Sequence, residues 1–237
     1  MKNIRLDKLL SEMGICSRKE AGRIARNGSI TVNGDIYKDS SEIIDISSEI
    51  RVMGERIEYD PCPLFMMNKP AGLICAADDP RERTVFELLG ERERRMELFT
   101  VGRLDKDTTG LLILTNDGAL AHKLLSPKKH VDKIYDVTSD LEFSENDVAA
   151  FKEGVFIDRE TKTLPALLQI DSIDPHKALL TIREGKFHQI KRMLNAVDKN
   201  VTALKRVCFA GIPLDPSLPE GAFRHLTKEE ADMLINR

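Results

Sequence analysis

Three short stretches hold residues that could work on a substrate. The first is Arg103-Leu104-Asp105-Lys106-Asp107, which runs through Thr108-Thr109-Gly110 into apolar Leu111-Leu112-Ile113-Leu114. Three readings are open for it. It can be a surface turn whose ions pair with one another. It can be a divalent-cation site, with Asp105-x-Asp107 holding a metal beside a diphosphate. Or it can present one working carboxylate steadied by nearby cations. Leu104, flanked by charge, is expected to plug inward, which in a turn leaves Asp105 and Asp107 facing differently and disfavours shared metal ligation.

The second stretch is REGKFHQIKRML, residues 183–194. On a helix, Phe187, Ile190, Met193 and Leu194 form an apolar face. His188, Lys191 and Arg192, three and four residues apart, share a neighbouring face that is either merely solvated or a binding surface. The third is KIYDV, residues 133–137, whose alternation predicts a strand with Lys133, Tyr135 and Val137 on one side. Tyr135 is one of only three tyrosines.

These residues need elements to hold them. Residues 1–58 read as a small α/β unit. A helix over Arg5 to Met13 turns Leu6, Leu9 and Leu10 to one side. A second helix opens on the capping-box spacing Ser17-Arg18-Lys19-Glu20 and stops at Asn27-Gly28. Ser29 to Val32 then forms a strand entering a tight Asn33-Gly34 hairpin, and IRVMGERIEY predicts a second hairpin. The stretch 59–63, with two prolines, is the expected linker. From 64 to 237 the expectation is one mixed α/β domain. Its strands fall at Leu64–Met67, Leu73–Ala76, Gly110–Thr115, Lys133–Thr138, Ala166–Ile170, Ala178–Ile182 and Val201–Phe209. Its helices start at Thr84, near Asp117, at Ser144, near Lys186 and at Thr227. The order is not a strict βαβ alternation, so the class is α+β, with a mixed, largely antiparallel sheet.

Composition narrows the function classes. With 41% hydrophobic and 32% charged residues, the chain is that of an ordinary globular protein. No apolar run approaches the roughly 20 residues of a membrane span, and no signal peptide is visible. The four cysteines are dispersed without a C-x-x-C pair, which points to reduced thiols and a cytoplasmic protein. The net charge of −3 hides an asymmetry: residues 1–34 hold seven Lys/Arg against three Asp/Glu, and residues 35–50 hold five acids against one lysine. A basic face on the first unit follows.

GRLDKDTTGLLILTNDG, then KIYDV, then EGKFHQIKRM, after a small basic unit, closely resembles the pseudouridine synthases, and within them the RsuA group, which modifies ribosomal RNA. RLDKLL…CSRKEAGRIARNGSITVNG resembles an S4-type RNA-binding domain. The resemblance implies Asp105 as the essential catalytic residue, Tyr135 packed on the target base, and Lys191 paired with the catalytic carboxylate. It makes Arg103, His188 and Arg192 candidates for substrate contacts. In the S4-like unit Arg5, Arg18, Lys19, Arg23 and Arg26 are the expected phosphate contacts, which give affinity more than sequence choice.

The chemistry is an isomerisation. The glycosidic bond breaks, the base turns, and the bond re-forms at C5 with no net oxidation or group transfer, so no cofactor and no metal are expected. A carboxylate facing a buried base is pushed toward protonation by desolvation, and a cation within a few ångströms opposes that. The target must leave the stack, as bases do for other enzymes that modify them, and a tyrosine can recover part of the unstacking cost. The partner implied is ribosomal RNA, free or in a pre-ribosomal particle, bound by a monomer. DDP followed by TV near residues 78–85, EGKFHQIKRM and LPEGAFRHLTKEE favour the small-subunit RNA. A large-subunit target and a non-catalytic rRNA-binding or assembly factor are the alternatives.

Overall fold

The structure, a computed structural model, describes residues 3–126 and 129–236. The chain divides into two compact units. One runs to Pro63 and takes in Leu89–Phe99; the other comprises Leu64–Leu88 and the chain from Thr100 onward.

The first unit contains β1 (Asn3–Arg5), α1 (Leu6–Glu12), α2 (Arg18–Arg26), β2 (Ile30–Val32), β3 (Asp35–Ile36), β4 (Ile43–Asp45), β5 (Ile50–Val52), β6 (Glu55–Ile57) and α3 (Glu91–Arg94). Helix α2 starts where the capping box predicts: the Glu20 amide donates to Ser17 Oγ and the Ser17 amide to Glu20 Oε2. Asn33-Gly34 and Met53-Gly54 both adopt positive φ, the geometry of tight hairpin turns. Leu6, Leu9 and Leu10 close against Ala21, Ala25, Ile30 and Ile50, all fully buried. The stretch 59–63, read as a linker, falls within this unit. So does 89–99, read from sequence as part of the second domain. There Arg92 Nε donates to the Met13 carbonyl at 3.1 Å, and Arg95 lies 3.7 Å from Glu20.

The second unit carries β7 (Leu64–Lys69), β9 (Thr109–Thr115), α4 (Gly118–Leu125), β10 (Lys133–Ser139), α5 (Glu145–Glu153), β11 (Leu167–Ile170), β12 (Lys177–Ile182), α6 (Gln189–Asn195), β13 (Val201–Phe209), β14 (Ile212–Pro213), β15 (Phe223–His225) and α7 (Lys228–Ile235). Strand β8 (Phe99–Thr100) precedes the loop into β9. The sheet order is β11-β12-β10-β13-β9-β7-β15. Every pairing along it is antiparallel except β13 with β9, where Lys205 faces Thr109 and Arg206 faces Gly110. The class is α+β. Strand β7 is buried at all six positions, as is β9 from Gly110 onward, so both read as near-continuous apolar runs rather than alternating ones. Gly110 is where β9 passes β13: a Cβ there would lie 2.3 Å from the Arg206 carbonyl oxygen.

Three expected elements differ. Leu73–Ala76 is not a strand but makes one isolated bridge, Ile74 to Thr84, because Asp79 turns the chain by accepting the Arg81 and Glu82 amides. The helix expected at Thr84 is a single 3₁₀ turn, Val85–Leu88. The helix expected near Lys186 starts only at Gln189, because His188 sits in the left-handed region, φ 47°. Among the described residues, no helix is long and apolar enough to cross a membrane.

Candidate active site

The loop from Gly102 to Thr108 feeds into β9 and is fixed from below. Leu104 plugs inward as expected, 6% exposed. Its amide and carbonyl lie 3.4 and 3.5 Å from Cys75 Sγ. Lys69, at the end of β7, is fully buried and its ammonium donates to the carbonyls of Pro70 (3.0 Å), Lys106 (3.3 Å) and Thr108 (2.9 Å). Burial holds this ammonium below its ordinary pKa, with Cys75, Asp107 and Asp105 pulling the other way. Sequence reasoning missed Lys69. The signal was a lysine closing a strand that opens on four apolar residues, LFMMNK, just before a proline.

The Asp105 and Asp107 side chains differ in setting, 31% and 67% exposed, yet both come within reach of one lysine. The Thr108 amide donates to the Asp105 carbonyl at 3.1 Å, closing the turn that carries both aspartates. Lys191 Nζ then serves both: it lies 2.7 and 2.6 Å from the two Asp107 oxygens and 4.0 Å from Asp105 Oδ2. The expected pairing of Lys191 with Asp105 is thus the longer of two contacts. The Lys191 hydrogen bonds hold the Asp107 carboxyl below the usual carboxylate range, against the opposing effect of partial burial. His188 Nε2 stands 3.7 Å from Asp105 Oδ1, so Asp105 has an imidazole on one oxygen and an ammonium on the other. Lys191 already stands between the two carboxylates, and no group of three or more His, Cys, Asp or Glu among the described residues could hold a metal ion.

Helix α6 delivers Lys191. Its Gln189, Ile190, Met193 and Leu194 are buried. Phe187, expected on that apolar face, precedes the helix, is 72% exposed, and stacks on the His188 ring at 3.8 Å. Gln189 Oε1 accepts from the Lys186 amide while its Nε2 donates to Glu184 Oε1, and Glu184 also pairs with Lys186. Glu184 and Gln189 thus brace the loop that presents His188, roles the charge pattern alone did not reveal. Arg192 is not at the site. It pairs with Asp158 at 2.6 Å and donates to the Ile157 and Phe187 carbonyls, and it does not line the cavity that Lys191 lines.

Tyr135 enters from β10, 7% exposed, and lines with Arg103, Asp105, His188 and Lys191 a cavity of about 90 Å³. Lys133, two residues before it, is pushed down to about 8 by burial and, second, by the nearby Arg206 charge. In the first unit Arg18, Lys19, Arg23 and Arg26 are exposed on α2. Arg5 is instead engaged: its Nε and Nη2 donate to Asp7 at 3.1 and 2.8 Å, and the Asp7 carboxylate raises the Arg5 pKa.

Residues 63–196 match the family described as RNA pseudouridylate synthase, and residues 4–50 match the S4 domain. The chain is 45% identical over 234 residues to a Bacillus subtilis protein named "Uncharacterized RNA pseudouridine synthase YtzG", spanning 98% of each. It is 38% identical to the Escherichia coli K12 "Ribosomal small subunit pseudouridine synthase A", covering 98% of this chain and all of that one. A solved structure titled as a pseudouridylate synthase is 37% identical, superposes with a TM-score of 0.69, and matches 98% of this chain and 99% of its own. With this match spanning both units and the aspartate, tyrosine and lysine brought to one cavity, the chain belongs to the RNA pseudouridylate synthase family and carries an S4 domain ahead of its catalytic fold.

Proposed function

We propose that this enzyme converts a uridine of small-subunit ribosomal RNA to pseudouridine, with Asp105 as its catalytic group and no metal or cofactor. The observation that carries the reading is the Asp105 carboxylate held between His188 and Lys191 in a cavity walled by Tyr135. An extruded uridine placed there has the carboxylate at its sugar or base edge and the tyrosine ring against its face. Stacking of that kind returns about 1–3 kcal/mol of the unstacking cost. Lys191 orients Asp105 while sharing its charge with Asp107, and Arg103 meets the RNA at the cavity mouth. Phe187, stacked on His188 and open to solvent, offers a further face for a base. The exposed α2 stripe of Lys19, Arg23 and Arg26 holds the RNA backbone, with Arg18 beside it. The small-subunit target rests on the near full-length likeness to the E. coli protein of that name.

Asp105→Asn tests the assignment. The variant is expected to bind rRNA and form no pseudouridine when modified sites are mapped by carbodiimide-stopped primer extension. Activity equal to wild type would remove Asp105 from its role. The same map made in a deletion strain separates the small-subunit from the large-subunit target, and loss of no site at all would favour the non-catalytic binding factor.

A further inference from the structure

A second cavity, of about 360 Å³, adjoins the one that holds Asp105. The two share Arg103, Tyr135, Gly185 and Lys186, so Tyr135 is a wall common to both. Five cations line the second cavity against a single acid, Glu184. Glu184 is paired with Lys186, and Arg183 with Asp132 at 2.8 Å. Among the described residues, the other three, Arg103, Lys133 and Arg206, make no ion pair.

Arg206 is the unusual member. It is 2% exposed, and its Nε donates to the Leu111 carbonyl at 2.7 Å. Its Nη2 is buried with no hydrogen-bond partner. A buried guanidinium with an unmet N–H is costly and calls for an acceptor. Its guanidinium carbon lies 5.0 Å from the Phe209 ring centroid, and Lys133 Nζ lies 5.9 Å from the same centroid. Two desolvated cations on one ring repel each other, and the nearby carboxylates, Asp132 and Glu184, are themselves paired with Arg183 and Lys186 and only partly offset them. The charge this cavity lacks is negative, and Phe209, already contacted by both cations, is poorly placed to stack on a base.

We infer that the second cavity is a phosphodiester subsite that takes a phosphate flanking the target uridine, with Arg206 and Lys133 as its principal ligands and Arg103 at the junction. This rests on the reading that a uridine enters the Asp105 cavity, since the strand carrying it must continue past Tyr135. Phosphate fits better than a second base because it supplies several acceptors and a charge at one point. Lys133 titrates near pH 8, with Arg206 on β13 pushing it down and Asp132 and Glu184 drawing it up. As pH rises through 8, the free enzyme loses that positive charge and with it the pull on the phosphate.

The test uses short RNAs spanning the mapped uridine, each with one flanking phosphate replaced by a neutral methylphosphonate. Wild type should lose about 10- to 100-fold in kcat/KM at one position, the range for a charged hydrogen bond. Lys133→Met should lose a similar factor on natural RNA and become indifferent to methylphosphonate at that position alone. Its deficit should shrink between pH 7 and pH 9. Arg206→Lys serves as the second variant, with thermal unfolding run in parallel. Equal losses for wild type and Lys133→Met at every position would overturn the inference while leaving the uridine reading intact. So would inorganic phosphate that competes with RNA in wild type but not in Lys133→Met, while no single flanking phosphate matters. No pseudouridine from wild type on natural RNA would instead strike the underlying reading.

Discussion

Lys69→Met isolates the support of the catalytic loop from its chemistry. Methionine keeps most of the length and apolar bulk of the lysine stem but removes three donated hydrogen bonds, to the Pro70, Lys106 and Thr108 carbonyls. The Lys106 carbonyl keeps the Gly72 amide at 2.8 Å, so the loss falls on Pro70 and Thr108. Stranding a buried carbonyl costs about 1–3 kcal/mol each. Against this, the variant no longer desolvates an ammonium, the effect that holds the Lys69 pKa down. A net destabilisation of about 2–3 kcal/mol follows, equivalent to about 4–12 °C in Tm for a chain of this size. Circular dichroism melts of wild type and Lys69→Met measure it, and turnover well below both transitions measures how far the loop has moved. Because Asp105 and Asp107 lie on the released loop, kcat should fall with little change in RNA affinity. An unchanged Tm together with an unchanged kcat would refute the view that Lys69 fastens this loop.

Lys191→Met should lower kcat by freeing Asp105 and Asp107 from their shared cation, whereas Lys191→Arg should keep much of the activity; equal turnover in both variants would contradict this. Replacing Lys19, Arg23 and Arg26 together by Gln should weaken rRNA binding and flatten the dependence of log K on log salt by about 2–3 units, at roughly 0.7–0.9 per phosphate contact. A salt titration by filter binding reads this, and an unaltered slope counts against the α2 stripe. Chelation with EDTA should leave turnover intact once RNA folding is maintained with monovalent salt, and loss under those conditions would reopen the metal reading.

Local chemistry made much of the fold legible. The capping residues Ser17, Asp117 and Thr227 mark helix starts because their side chains take up open amides within three residues. The apolar runs of β7 and β9 mark strands buried on both faces. What escaped depends on partners far along the chain. The three-residue strands β1 and β4 have no period to read, and they exist because Asn3–Arg5 pairs with Ile43–Asp45. Residues 89–99 belong with the first unit through contacts such as Arg92 with Met13, 79 positions away. At the site, sequence spacing brought out the groups on each element but not their partners. Asp107 and Lys191 are 84 residues apart, and the turn that carries both aspartates is invisible in a charge count. The helical pattern misplaced Phe187 because one left-handed residue, His188, delays α6.

The parallel pairing of β13 with β9 also sets how the enzyme can be taken apart. Lys69 and the aspartate loop hang from β7 and β9, whereas Tyr135, Lys133 and the segment leading to Lys191 hang from β10 and β12. The strands of these two antiparallel leaves pair at Thr109–Gly110 with Lys205–Arg206, and Arg206 Nε crosses the seam to the Leu111 carbonyl. A protein engineer cutting the chain into complementing fragments would find this seam the natural place to reassemble them. Glycine at 110 would have to be kept in any such split, because even a methyl group there would wedge the leaves apart and pull nucleobase wall and carboxylate out of reach of each other.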